Sequence, residues 1–166
     1  MRILAYDQST SVTGYAVLDN GKLEDYGTLE YQAFNCLDFY KDTMKMISEI
    51  KPDLIVWENL KGNRNPDIIR KLAEVTAILR MCASESGIRS EEYVPISVKS
   101  HFVVKGTGKR GSKTKLDLAR AICAFYGFKF PTSRGGKETK NKNHPFFNIT
   151  DAIALAMYAH SKICAE

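Results

Sequence analysis

Apolar residues open the chain in a short run at 3–6, and Asp7 follows where a buried strand would hold another aliphatic. Residues 2–7 are expected to form a strand, followed by a polar turn at 8–11. Residues 13–19 alternate, Asn20-Gly21 is a strong two-residue hairpin signal, and 22–31 read as a third, more exposed strand. Phe34, Leu37, Tyr40, Met44, Ile47 and Ile50 recur at close to helical spacing, predicting a helix over 33–50 that stops before Pro52. The continuous apolar core of 53–60 marks a strand buried on both faces. Pro66 suits the first turn of a helix over 67–86, and Gly87 suits its end. A short strand at 92–97, a short helix at 97–103, and helices at 112–126 and 149–163 complete the reading.

This order, three antiparallel strands and then two strands entered by right-handed helical crossovers, predicts a mixed five-stranded sheet with helices on both faces. It is an α/β fold in one domain, 1–166, with no internal repeat. The segment 129–147 is long for a structureless loop, and loops of that length are usually functional or mobile.

A chain of 166 residues has room for one domain with a substantial core. No apolar run approaches the roughly 20 residues of a membrane span, and no signal peptide is expected. The four cysteines, Cys36, Cys82, Cys123 and Cys164, show no metal or redox spacing, which points to reduced thiols and a cytoplasmic setting. The net charge of +5 is unevenly placed: residues 99–115 carry +6 and 129–147 carry +4, leaving −5 for the rest. Two concentrated basic segments favour a polyanionic partner, although lysine-rich solvated loops would look the same.

The candidate chemistry lies in three carboxylates in apolar surroundings: Asp7, Glu58 in "LIVWENL", and Asp151 in "NITDAIALAMYA". Strands one and four, entered from the same side, would bring Asp7 and Glu58 together, and the last helix could deliver Asp151 with Asn148 on the same face. Clustered carboxylates repel unless cations lie between them, and such hard oxygen ligands suit Mg²⁺ or Mn²⁺. Two such ions about 4 Å apart can activate water and stabilise the leaving oxygen of a phosphodiester. Each residue also has a local reading. Asp7 could close a turn with Ser9 or Thr10, Glu58 could pair with Lys61, and Asn148 could cap the last helix with Asp151 at its third position.

Taken in order, "ILAYDQSTSVTGYAVLD", "IVWENL", the following helix, "ISVKSHFVVKGTGKRGSK" and "NITDAIALAMYAH" resemble the RuvC-type Holliday junction resolvases of the RNase H-like nuclease superfamily. The resemblance runs over almost the whole chain, and the size is most similar to phage-encoded members. It implies an RNase H-like fold and a homodimeric endonuclease of DNA recombination and repair that resolves four-way junctions by paired nicks. Two Mg²⁺ ions per site, with Mn²⁺ as a substitute, would be held by Asp7, Glu58 and Asp151, which are the implied catalytic residues, with Asn148 as a further ligand.

Asn148 stands where related enzymes carry aspartate or histidine, which implies a weaker second metal site or an inactivating substitution. Lys61 stands where some relatives carry a phenylalanine wedge. Candidate DNA-binding residues are Lys61, Arg64, Lys99, Lys105, Lys109, Arg110, Lys113 and Lys115, and His144 is a secondary candidate for a charge or proton role. The helix at 67–86 carries more apolar residues than one core face requires, as a dimer contact would. Three other readings stay open: a non-catalytic binder of branched DNA, an RNase H-like nuclease acting on flaps or RNA–DNA hybrids, and an actin-like sugar kinase. The last is disfavoured because 166 residues cannot supply its two domains.

Overall fold

A computed structural model describes residues 1–60, 65–102, 115–132, 138–139, 141 and 144–165. The chain opens with β1 (Arg2–Asp7), β2 (Val12–Asp19) and β3 (Lys22–Glu30), followed by α1 (Cys36–Ile50), β4 (Leu54–Glu58), α2 (Pro66–Glu85) and β5 (Arg89–Tyr93). Three helices close it: α3 (Pro95–Phe102), α4 (Lys115–Tyr126) and α5 (Pro145–Ile163). The strands form one sheet in the order β3-β2-β1-β4-β5. The pairs β1–β2 and β2–β3 are antiparallel, and β4 joins β1 and β5 in parallel, so the expected mixed sheet is present.

Turn and cap chemistry sets the element ends. Asn20 and Gly21 both adopt positive φ, as the tight hairpin between β2 and β3 requires. Asn35 caps α1 by accepting from the backbone N–H groups of Leu37 and Asp38. Asn65 caps α2 in the same way, with Pro66 at the first helical position.

Two elements depart from expectation. The fifth strand lies at Arg89–Tyr93, not 92–97, because Pro95 begins α3 and the strand is built from polar residues. Among the described residues this edge strand pairs with β4 alone, and Arg80 of α2 reaches Glu92 to form an ion pair. The last helix begins at Pro145, four residues before the expected 149. His144 is its N-cap, with Nδ1 accepting from the Phe146 N–H at 3.2 Å. The 129–147 segment is partly tied down as well: Thr132 bridges Glu138, and Glu138 pairs with Arg120 of α4 at 2.8 Å.

Strand alternation divides the core into two layers. Ile3, Ala5, Ala16, Leu18, Leu54 and Val56 face α5, with Val98 of α3 and Leu118 and Ile122 of α4. Leu4, Tyr6, Val17, Ile55 and Trp57 face the other way, against Phe39 and Ile47 of α1 and Val75, Ile78, Leu79 and Cys82 of α2. On α5, Ala152, Ala154, Ala156 and Ala159 are all fully buried, and these small side chains let the helix lie close to the sheet. The approach is tightest over Gly14. A Cβ there would overlap the carbonyl group of Asn148 and lie 2.9 Å from the nitrogen of Ile149, so no larger residue fits without moving the helix. Among the described residues, no helix is long and apolar enough to cross a membrane.

Candidate active site

The same alternation that sorts the core places the acids. With Ile3 and Ala5 facing α5, the next residue on that face of β1 is Asp7; with Leu54 and Val56 facing α5, the next on β4 is Glu58. The two strands are parallel neighbours with Tyr6 opposite Trp57, so both acids emerge at one edge of the sheet. Across that edge α5 carries Asp151, whose side chain is 5% exposed; that of Asp7 is 14% exposed. The structure thus brings together the three carboxylates singled out in the sequence.

Their mutual electrostatics are unfavourable. Burial raises Asp7 well above the usual carboxylate range, and the charges of Asp151 and Glu58 raise it further, against Lys115 and Lys99. Glu58 is pushed up to about 7, by burial and then by Asp151. Burial also raises Asp151, against the opposing pull of Lys115 and Lys99. The group therefore favours any cation that can enter it.

Lys115 already lies within it. Its Nζ is 2.8 Å from Asp151 Oδ2, 3.7 Å from Asp7 Oδ2 and 3.0 Å from Asn148 Oδ1. Burial opposes its charge, but Asp7, Asp151 and Glu58 outweigh that and hold the ammonium above its usual range. Lys115, a candidate DNA-binding residue from the sequence, stands at the first position of α4, among the acids. Half-buried Lys99 on α3 is the second described cation whose field reaches all three acids. Lys61, Arg64, Lys105, Lys109, Arg110 and Lys113 lie outside the described residues.

Asn148 is neither the N-cap of α5 nor a side chain aimed freely into the cluster. Its Nδ2 donates to the Val12 carbonyl at 2.6 Å, which leaves Oδ1 facing Lys115. His144, the actual cap, is occupied by the Phe146 N–H. Asp7 is not needed to close the turn that follows it. Thr13 does this instead, its Oγ1 donating to the Ser9 carbonyl at 2.7 Å and accepting from the Ser9 N–H at 3.0 Å.

One contributor was not legible as functional. Gln8 is 7% exposed, and its side chain extends the sheet: Nε2 donates to the Glu58 carbonyl at 2.6 Å, and Oε1 accepts from the Glu58 N–H at 3.1 Å. It fixes the backbone that presents Glu58. The available signal was a glutamine directly after a strand-end acid, a residue that reads as turn chemistry.

The donor set suits a hard divalent ion, and one observation fits a missing partner: among the described residues, buried Asp151 Oδ1 has no hydrogen-bond donor. Among the described residues, no three His, Cys, Asp or Glu side chains already form a ready-made metal-binding group. The acids are gathered around an ammonium instead. Beside Asp7 a cleft of about 310 Å³ opens, lined by Ser9, Ser11, Lys115 and Asn148, with Ile68 and Leu72 of α2 on its far wall. Those two residues of the helix expected at a dimer contact thus border the site, while its C-terminal half is buried against the sheet.

The sheet order, the flanking helices and three acids at one edge define an RNase H-like nuclease fold. No family model matches the chain. It is 27% identical to the crossover junction endodeoxyribonuclease RuvC of Caldicellulosiruptor saccharolyticus, covering 95% of this chain and 90% of that protein. The corresponding protein of Halorhodospira halophila is 28% identical, with 97% and 91% covered. Among solved structures, Thermus thermophilus RuvC in complex with a Holliday junction substrate superposes with a TM-score of 0.73 at 15% identity, covering 99% of this chain and 96% of that one. The yeast mitochondrial Holliday junction resolvase gives 0.63 at 9% identity, covering 98% and 80%. Over nearly its whole length the chain is thus similar to the RuvC Holliday junction resolvases.

Proposed function

We propose that this protein is a divalent-metal-dependent endonuclease that cuts four-way DNA junctions by paired phosphodiester hydrolysis, acting in the cytoplasm as a single-domain subunit of a homodimer. The observation that carries the reading is the meeting of Asp7, Glu58 and Asp151 at one sheet edge, with Asp151 Oδ1 buried and unpartnered among the described residues. Kinship to proteins named for junction cleavage supports the choice of substrate.

Asp7, Glu58 and Asp151 would hold the metal, Mg²⁺ or Mn²⁺. When bound, it would supply water activation and stabilise charge on the leaving oxygen. The protein's own part is positioning. Gln8 fixes the backbone of Glu58, and the close seat of α5 on Gly14 sets Asp151 opposite Asp7. Lys99 and Lys115 lessen the repulsion a phosphate would meet at an acidic edge. The cleft beside Asp7 would receive the strand to be cut. Pairing of two copies through α2, where Ile68 and Met81 are exposed, would supply two sites for a two-fold substrate. At the position where the resemblance implies aspartate or histidine, Asn148 offers a neutral carbonyl oxygen.

The test is cleavage of a labelled synthetic four-way junction in Mg²⁺ and in Mn²⁺, beside a matched linear duplex, a flap and the Asp7→Asn variant. Symmetric nicks on the junction alone, lost in the variant, are expected. Equal cutting of the flap or duplex would refute junction selectivity. Tight junction binding with no nick in either metal would refute catalysis.

A further inference from the structure

We propose that Lys115 takes the place of a second cation and supplies one of the three positive charges this site needs, so that each chain takes one divalent ion, and that Asn148 is the residue that holds Lys115 there. The inference rests on the metal-dependent reading of the site, but not on the identity of its DNA substrate.

Three observations carry it. The first is the position of the ammonium. Lys115 Nζ is surrounded by oxygens of β1 and α5, those of Asp7, Asp151 and Asn148, at 3.7, 2.8 and 3.0 Å. Oxygens from separate elements converging on one point make the environment a hard cation would take, and a lysine occupies it.

The second is the orientation of Asn148. The Val12 carbonyl can only accept and the ammonium can only donate, so the amide has one satisfactory setting, nitrogen to Val12 and oxygen to Lys115. An aspartate at 148 could satisfy the lysine but would face the Val12 carbonyl with a second acceptor. Asparagine therefore suits a position that joins β2, α4 and α5 around a lysine, and is not simply a lost metal ligand.

The third is charge. Asp7, Glu58 and Asp151 carry three negative charges when ionised, and Lys115 lowers the sum to two, which a single divalent ion neutralises. Asp151 divides its two oxygens accordingly: Oδ2 contacts Lys115, while buried Oδ1 has no donor among the described residues. Oδ1, Glu58 and Asp7 remain for the ion. Lys99 acts on all three acids from α3 and adds to the positive field without joining the contact.

The experiment counts ions. Full-length protein is titrated with Mn²⁺, free Mn²⁺ is followed by electron paramagnetic resonance, and Mg²⁺ binding is checked by calorimetry. The variants are Lys115→Met and Asn148→Asp, with folding monitored by circular dichroism. One Mn²⁺ per chain is expected for the unaltered protein, two for Lys115→Met, and still one for Asn148→Asp, because Lys115 remains in place to pair with the new carboxylate. Two ions in the unaltered protein would overturn the proposal, as would a second ion gained by Asn148→Asp but not by Lys115→Met. Should Lys115→Met fail to fold, the other two counts still decide. No bound ion in any form would sink the metal-dependent reading and this inference with it. One ion without junction cleavage would sink the proposed substrate alone.

Discussion

Gly14→Ala tests whether the approach of α5 to the sheet sets the geometry of the acids. Gly14 lies opposite Asp7 in the β1–β2 pair, and the first turn of α5 passes directly over it. The new methyl would overlap the Asn148 carbonyl and lie 2.9 Å from the Ile149 nitrogen. Ordinary carbon contacts are about 3.5–4.0 Å, so the helix has to back away by about 1 Å. Both atoms in the way are backbone, so no rotamer change relieves the clash. Overpacking of this kind costs about 1–3 kcal/mol. A 1 Å displacement of a catalytic group can cost on the order of 10²-fold in rate, and Asp151 rides on the displaced turn. Urea denaturation, Mn²⁺ affinity and single-turnover junction cleavage are then measured on Gly14→Ala beside Gly87→Ala. Gly87 has φ +64 and open space around it, so its alanine variant strains the backbone by about 1–2 kcal/mol far from any clash. Comparable destabilisation in both, with metal affinity and cleavage lost only in Gly14→Ala, is the expected outcome. Cleavage within about threefold of the unaltered protein would refute the idea that this contact positions Asp151.

Two further outcomes follow from the site. Gln8→Ala strips the side-chain partners from both backbone polar groups of Glu58; unsatisfied groups of this kind cost about 1–3 kcal/mol each, and Mn²⁺ affinity should fall about tenfold as Glu58 loosens. Unchanged affinity in a variant that is merely less stable would reduce Gln8 to a structural role. In metal-free protein, Glu58 is raised to about 7 from an ordinary 4.5, so its contribution to stability is fully present below about pH 4.5 and is lost as pH rises through 7. The melting temperature should therefore drop by roughly 5 °C between pH 5 and 8, Glu58→Gln should flatten the profile, and millimolar Mg²⁺ should remove most of the drop. A metal-free profile that is already flat would contradict the electrostatic account of the cluster.

The three acids were legible because each violates its local pattern. A carboxylate that continues the buried face of a strand, as Asp7 does after Ile3 and Ala5, is costly unless something charged meets it, and that cost can be read without a structure. The mixed sheet was legible for a similar reason: the Asn20-Gly21 turn forces one hairpin, and helical crossovers favour parallel entry of the last two strands, although neither signal gives the order β3-β2-β1-β4-β5. The fifth strand was misplaced because edge position, not apolarity, decides its composition, and Arg89, Ser90 and Glu91 carry no strand pattern. The start of α5 was misplaced although Pro145 marked it and Phe147 already lies on the buried face of the helix.

The placement of Lys115 and Asn148 was not legible for a deeper reason. In the sequence Lys115 is one of six basic residues in a segment without acids, and any of the six could have met a phosphate. Only the start of α4 against α5 selects it for the interior of the cluster. Asn148 invited comparison with an acid it does not contain, yet its amide is specified by two neighbours, the Val12 carbonyl and the Lys115 ammonium, that lie 136 and 33 residues away in the chain. A sequence shows the charge a residue carries but not the partners the fold provides for it. In this site neutral Asn148 accepts from the Lys115 ammonium at 3.0 Å while donating to the Val12 carbonyl at 2.6 Å, and the proposed one-ion site rests on that pairing.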